Sequence, residues 1–383
     1  MALFKTPEYT LIGSKALEEA KPYLKKCGKK ALIVTGKHVV LSDMMAELKK
    51  ALEEIGIAYF VFDGITGEPT NVMIDEGIEA YKGNGCDFCI GIGGGSPLDS
   101  AKAIAAMITN EGKIADYNGK VIEKPIPPVV AIPTTAGTGS EATQFTVITD
   151  VEKDIKMLLK GGYLVPKIAI VDPAYTYSAP KSITAATGMD ALTHAIEAYT
   201  SRKALPVTDT LAVSAVKRIM KYLPAAYKDG SDEKARYEMS VASYEAGICI
   251  NNSTVTLVHG MSRPIGALFH VAHGISNAML LTKCLAFALD GAYEKFANLG
   301  REIGAATAED DDKTASEKFI EALNEICKIC EIPTLLEYGI PKDEFFAHME
   351  KMAHDALTSG SPGNTMKPIS EQDIIEIYKK LWE

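Results

Sequence analysis

The feature that most constrains this chain is an alternation that stops. Between residues 29 and 173, short β-rich runs alternate with segments whose apolar residues recur at helical spacing; past residue 180 the β-rich runs cease. KKALIVTG (29–36), AYFVFDGI (58–65), CDFCIGIGGG (86–95), VVAIPTTAGTG (129–139), TQFTVITD (143–150) and KIAIVDP (167–173) carry the β signal. LSDMMAELKKALEEIG (41–56), NVMIDEGIEAYKGNG (71–85) and SPLDSAKAIAAMITN (96–110) carry the helical one. Strands separated by helices of this length are βαβ units, which build a mostly parallel sheet. From MDALTHAIEAYT to ISEQDIIEIYKKLW one helical pattern follows another. The predicted organisation is an α/β domain over residues 1–179 and an all-helical domain over 180–383, which suits a chain of 383 residues.

Composition narrows the partners. A net charge of −10 argues against a nucleic-acid surface, which needs clustered Lys and Arg. No apolar run reaches the roughly 18 residues needed to span a bilayer, and the start MALFKTPEYT lacks a secretory apolar core. A cytoplasmic protein without membrane partners is expected. Seven cysteines, an odd number scattered along the chain, fit a reducing compartment. Cys86–Cys89 and Cys327–Cys330 have CxxC spacing, but both pairs sit in apolar patterns far apart in sequence, so buried thiols are expected rather than a shared zinc site.

Two stretches place chemistry in apolar surroundings. In GMDALTHAIEAYT (188–200), Asp190 and His194 are four apart and share a helix face. Burying both is costly unless they pair or bind something. A satisfied Asp–His pair is the alternative these two residues leave open. LVHGMSRPIGALFHVAHGISNAMLL (257–281) adds His259, His270 and His273. Pro264 and Gly266 are expected to break any helix there, and the bend would let His259 and His273 converge. With Asp190 and His194 this makes one oxygen and three nitrogens, a set suited to Zn²⁺ or Fe²⁺ and not to Mg²⁺ or Ca²⁺.

Two glycine-rich turns belong to the first half. In GIGGGSPLDSAK (91–102), Ser96 is placed to cap a helix, with Pro97 in its first turn and Asp99 three residues after the cap. Such a helix start binds phosphate or is a plain strand–turn–helix junction. It is not the usual dinucleotide fingerprint: GxGxxG read from Gly91 ends on Ser96, and Gly137-x-Gly139-x-x-Ala142 is followed by a strand rather than a helix. PTTAGTGSE offers the hydroxyls of Thr134, Thr135 and Thr138 to phosphate, ribose or an amide, or forms a tight turn.

Taken together, GGGSPLDSAKAIA, PTTAGTGSE, GMDALTHAIEAY and the two HG pairs resemble the iron-containing (group III) alcohol dehydrogenases, the family of lactaldehyde reductase and propanediol dehydrogenase, from about residue 30 to 290. The resemblance implies an N-terminal dinucleotide-binding α/β domain, a helical metal-binding domain of the dehydroquinate synthase-like architecture, and a site in the cleft between them. It implies Asp190, His194, His259 and His273 as ligands to Fe²⁺ (or Zn²⁺). It assigns Gly94, Gly95 and Ser96 to the pyrophosphate, Thr134, Thr135, Thr138 and Lys156 to the cofactor, and Asp99 to the neighbourhood of the nicotinamide ribose. A small alcohol or aldehyde is the implied substrate, and a homodimer or larger homo-oligomer the implied assembly. His270 is either a proton-relay residue or a helix-end histidine.

Three departures from the family pattern stand out. Arg263 occupies a position where many members have a second histidine, which changes the proton path or brings in an anionic or polar substrate group. GEPT (67–70) replaces PNPT, with Glu68 for Asn. Gly36 stands where NAD-using members carry an Asp that accepts from the ribose 2′-hydroxyl. Without that carboxylate, Lys37 or His38 can meet a 2′-phosphate, so NADP(H) is favoured over NAD(H). Two rival classes remain: a metal- and NAD-dependent elimination enzyme of the dehydroquinate synthase type, and a non-catalytic nucleotide-binding protein.

Overall fold

The structure is a computed structural model that describes residues 3–383. Contacts divide the chain into two compact units, Met1–Ala179 and Pro180–Glu383. The first contains strands β1 (Tyr9–Ile12), β2 (Lys30–Val34), β3 (Ala58–Phe62), β4 (Phe88–Gly93), β5 (Val129–Pro133), β6 (Phe145–Asp150), β7 (Ile155–Lys160) and β8 (Ile168–Val171). Its helices are α1 (Ala16–Leu24), α2 (Lys37–Val40), α3 (Asp43–Glu54), α4 (Asn71–Gly83) and α5 (Gly95–Thr109).

Six strands form one parallel sheet in the order β1-β8-β5-β4-β2-β3. Its central strands are covered on both faces, which is why they are nearly continuous apolar runs. Successive residues point to opposite faces. Leu32 and Val34 join one core with Ile74 and Ile104, while Ile33 joins the other with Leu48 and Leu52. The helices start on side-chain caps where the sequence supplies them: Ser42 accepts from the Met45 N–H and Thr70 from the Met73 N–H.

One strand expectation needs correcting. TQFTVITD does form β6, but β6 lies outside the parallel sheet. It pairs antiparallel with β7, whose IKMLLK alternates exposed and buried residues and was not anticipated. The helix after β4 also starts earlier than expected. Gly94 is its N-cap, no side chain caps it, and Ser96 lies in the first turn.

The second unit has nine α-helices among the described residues: α6 (Lys181–Tyr199), α7 (Pro206–Lys228), α8 (Glu233–Asn252), α9 (Leu257–Phe269), α10 (His273–Ala288), α11 (Tyr293–Glu302), α12 (Asp312–Ile329), α13 (Lys342–Thr358) and α14 (Glu371–Lys380). Helix α6 is buried almost all round and packs against α7, α8 and α10, as a helix apolar on every side must. The expected break at Pro264 and Gly266 does not occur, since α9 runs straight through both. Pro264 forgoes one backbone hydrogen bond, but Leu257, Val258, Met261 and Ile265 are buried around it, and that burial outweighs the roughly 3 kcal/mol proline penalty. The chain turns later, at His270, whose φ of 54° is left-handed. Among the described residues no helix is long and apolar enough to cross a membrane.

Candidate metal centre and cofactor-binding turns

Helix α6 presents Asp190 and His194 one turn apart, α9 contributes His259 from its first turn, and α10 begins with His273. Asp190 Oδ1 lies 3.8 Å from His194 Nε2, 3.6 Å from His259 Nε2 and 3.7 Å from His273 Nε2. The His194 and His259 rings stack at 4.6 Å. Asp190, His259 and His273 form the tighter group, their ligand atoms all within 4.8 Å of one another.

Those separations can be tested against a cation. Four ligands at bonds of about 2.1 Å in a tetrahedron stand about 3.4 Å apart. The observed edges of 3.6–3.8 Å exceed that only slightly. The Asn277 amide nitrogen lies against the same atoms, 2.8 Å from Asp190 Oδ1, 3.2 Å from His259 Nε2 and 3.3 Å from His273 Nε2. Acceptors thus converge where positive charge is wanted. The donor types and the three edges that meet at Asp190 Oδ1 fit a divalent ion, with His194 outside the tighter trio. The His273 side chain is 41% exposed while the other three are nearly buried, so the group is open on one side.

Sequence reasoning missed the residue that sets the histidine tautomer. Glu197, fully buried one turn beyond His194, accepts from His259 Nδ1 at 2.5 Å through Oε2. Its Oε1 accepts from the Thr256 hydroxyl and the Val258 N–H. With its proton on Nδ1, His259 keeps the Nε2 lone pair for a metal. The signal was available: a glutamate inside AIEAY, on an otherwise apolar helix, is as anomalous as Asp190.

Charge follows the geometry. Burial alone would raise Asp190, but the surrounding imidazoles hold its carboxyl well below the usual range. Burial would lower His259, yet the Glu197 and Asp190 carboxylates raise it. A metal ligand must be a neutral imidazole, so a bound divalent cation would take the place of the protons that these two buried carboxylates otherwise favour on the histidines. Glu197→Gln is expected to weaken Zn²⁺ or Fe²⁺ binding about 10- to 100-fold in a chelator-competition titration. An unchanged dissociation constant would show that Glu197 does not support the ligand set.

In the first unit, the chain reverses its order of strand addition between β2 and β4: β3 lies beyond β2, while β5 and β8 lie beyond β4. Ligands of open parallel sheets bind at the carboxyl ends of strands beside such a switch point. Gly36 follows β2 there, and Gly94, Gly95 and Ser96 follow β4. A Cβ on Gly95 would meet Thr138 Cγ2 at 2.9 Å, and one on Gly94 would meet Thr135 at 3.7 Å. The two turns are therefore packed together, with first-turn N–H groups at Gly95 and Ser96 that no side chain caps. Thr134 leads away from β5, its N–H bonded to Gly93 O.

Asp99 and Lys156 are placed differently from the turns. Asp99 accepts from the Ser140 hydroxyl at 2.5 Å and the Val147 N–H at 2.8 Å, so protein donors engage both oxygens. Lys156, on β7, pairs with Glu68 at 2.5 Å, which gives the unusual glutamate of GEPT a partner. His270 is exposed at the left-handed end of α9 and makes none of the contacts of the four-residue cluster. Arg263 lies one turn beyond His259 on α9 and donates to the Ser361 hydroxyl at 3.0 Å.

Behind Asp99 is a second buried charge cluster that the sequence did not suggest. The Lys102 ammonium donates to Ser140 Oγ, Thr143 Oγ1 and Phe145 O, and burial lowers it to about 8. Nearby Glu141 is 2% exposed, and burial raises it to about 7 from 4.5. A raised carboxyl favours folding below pH 4.5 and loses that contribution as pH rises through 7. Glu141→Gln should therefore gain on the wild type between pH 4.5 and 7, by roughly 3 kcal/mol, with a constant difference above that window. Denaturant titrations at pH 5 and pH 8 check it; equal differences at both pH values would refute it.

Known proteins resemble the whole chain. The profile described as "Iron-containing alcohol dehydrogenase" matches residues 7–173, and that described as "Fe-containing alcohol dehydrogenase family, C-terminal" matches 184–382. The NAD-dependent methanol dehydrogenase of Bacillus methanolicus is 38% identical over 382 residues, covering 99% of each chain. The lactaldehyde reductase of Escherichia coli (strain K12) is 35% identical over 358 residues, covering 92% of each. Among solved structures, a 1,3-propanediol oxidoreductase superposes with a TM-score of 0.95 at 34% identity, covering all of both chains.

Proposed function

The chain belongs to the iron-containing alcohol dehydrogenase family, and from that premise we propose that it interconverts a small alcohol and its aldehyde, moving a hydride to or from a nicotinamide dinucleotide. The observation that carries this reading is the convergence of three imidazole nitrogens on one buried carboxylate oxygen, at 3.6–3.8 Å.

Asp190, His194, His259 and His273 would hold a divalent ion, iron in the first instance, with Glu197 fixing the His259 tautomer. Bound there, the ion would supply Lewis-acid stabilisation of negative charge on the substrate oxygen, and the nicotinamide ring would supply or accept the hydride. The chain's own tasks are binding and orientation. First-turn N–H groups of Gly95 and Ser96 would receive the pyrophosphate, with Thr135 and Thr138 packed beside them. Lys156 would reach the cofactor by giving up Glu68.

The 2′-phosphate form, NADP(H), is the finer part of this reading. It is supported by Gly36 at the end of β2, where no acid stands, and by Lys37 and His38, both exposed in the next turn. The Bacillus methanolicus relative is named for NAD, so the preference is a property of these residues and not of the family. Gly36→Asp should move the ratio of catalytic efficiencies toward NADH. A Cβ here would lie 2.8 Å from Ile65 O, so Gly36→Ala is the control for backbone displacement. A ratio that shifts equally in both variants would assign the change to displacement and not to the carboxylate.

Seven free cysteines support a reducing, cytoplasmic location, and assembly as a homo-oligomer rests on the family resemblance. The test of the function is NADPH and NADH absorbance with a panel of short aldehydes, metal supplied and air excluded. Turnover of at least one aldehyde is expected. None with any of them would overturn the dehydrogenase reading.

A further inference from the structure

Arg263 is a half-buried cation without an anion. Among the described residues no carboxylate oxygen lies within 4.0 Å of its guanidinium, and its one hydrogen bond goes to Ser361 Oγ at 3.0 Å. The carboxylate whose charge reaches it is Glu197, but both oxygens of Glu197 are already taken by Thr256, Val258 and His259. Leaving a guanidinium desolvated and unpaired is expensive, and fixed cations are retained where an anion arrives.

The surroundings of Arg263 show how that anion would be received. Ser361 is 7% exposed and accepts from Arg263, and its own O–H has no acceptor among the described residues. The hydroxyl and the remaining guanidinium N–H groups form a donor set with no acceptor beside it. The set is held firmly. A Cβ on Gly260 would lie 2.6 Å from the ring of Pro362, so the segment carrying Ser361 sits directly on α9. Arg263 follows His259 by four residues, one turn and about 6 Å along the same helix face. The next turn on that side carries Gly266 and Ala267, which add no bulk.

We propose that Arg263 and Ser361 receive an anionic group of the substrate, so that the preferred aldehyde carries a carboxylate or sulfonate two or three carbons from its carbonyl. This rests on the dehydrogenase reading above, whose metal centre includes His259. Planar, two-pronged donation by Arg matches a carboxylate or sulfonate, and a charge-assisted bond of this kind corresponds to roughly a 10- to 100-fold preference.

The test uses the full chain loaded with Fe²⁺ or Zn²⁺ and two aldehydes of similar shape, the anion succinate semialdehyde and the uncharged isocaproaldehyde. The wild type is expected to show the higher catalytic efficiency with the anionic aldehyde. That preference should fall about 10- to 100-fold in Arg263→Gln, mainly because the anionic aldehyde binds less tightly and its Michaelis constant rises, and partly recover in Arg263→Lys. Calorimetric binding of succinate, an unreactive dianion, should weaken in parallel in Arg263→Gln. Ser361→Ala, a smaller change, should lower the preference about threefold if Arg263→Gln does not fold. An unchanged preference in a folded Arg263→Gln, or in Ser361→Ala where it stands in, would overturn the proposal and leave the dehydrogenase reading intact. Succinate binding that depends on Arg263, with neither aldehyde reduced, would uphold the anion site and overturn the dehydrogenase reading.

Discussion

His259→Ala is expected to leave a folded protein that no longer retains a stoichiometric divalent ion and loses about a thousandfold or more in catalytic efficiency. His259 is the proposed ligand with the most geometric support: 3% exposed, with Nδ1 locked to Glu197 and Nε2 facing Asp190. Truncating it removes one nitrogen from the proposed four-ligand set and takes from Glu197 Oε2 its one hydrogen-bond partner among the described residues. Losing Lewis-acid stabilisation accounts for several kcal/mol, and about 4 kcal/mol is a thousandfold in rate. The stranded Glu197 costs about 1–3 kcal/mol of stability, which a unit of this size tolerates. Metal analysis after gel filtration, with far-UV circular dichroism as the folding control, decides the point. Retained stoichiometric metal would remove His259 from the set of ligands.

Gly274→Ala is expected to do comparable damage without touching a ligand. Gly274 is the second residue of α10, between His273 and the turn carrying Asn277. A Cβ there would lie 2.1 Å from the backbone oxygen of Ala186, on α6. Backbone cannot give way as a flexible side chain does, so α10 must move off α6. That motion separates His273 and Asn277 from Asp190 and His194. Overpacking of this kind costs about 1–3 kcal/mol, which lowers the melting temperature by several degrees in a unit of about 200 residues. Weakened metal binding should accompany it. A Gly274→Ala protein with wild-type melting and metal content would show that the close approach of the two helices does not shape the site.

Much of this architecture was legible because it rests on local patterns. The runs at β2, β4, β5 and β8 are apolar because both sheet faces are covered, and the switch to helices beyond residue 180 is a change of period. The β6–β7 hairpin was not legible, because pairing partner and direction depend on tertiary placement. Pro264 misled for the same reason: its penalty is a local quantity, and burial along α9 overrides it. Asp190, His194, His259 and His273 stood out as polar groups in apolar helices. Glu197 and Lys102 met the same criterion but belonged to no spacing rule, while Glu141, in the polar loop after β5, carried no such signal. That Asp99 is engaged by Ser140 and Val147, and Lys156 by Glu68, needed the fold itself.

The most direct measurement is X-ray absorption at the metal edge of protein reconstituted with Fe²⁺ or Zn²⁺, compared between the wild type and Asp190→Ala. One ion per chain is expected, with imidazole scattering and nitrogen or oxygen neighbours at about 2.0–2.2 Å, and an altered or missing signal in the variant. A wild-type ion without imidazole neighbours, or a spectrum identical in Asp190→Ala, would contradict the account.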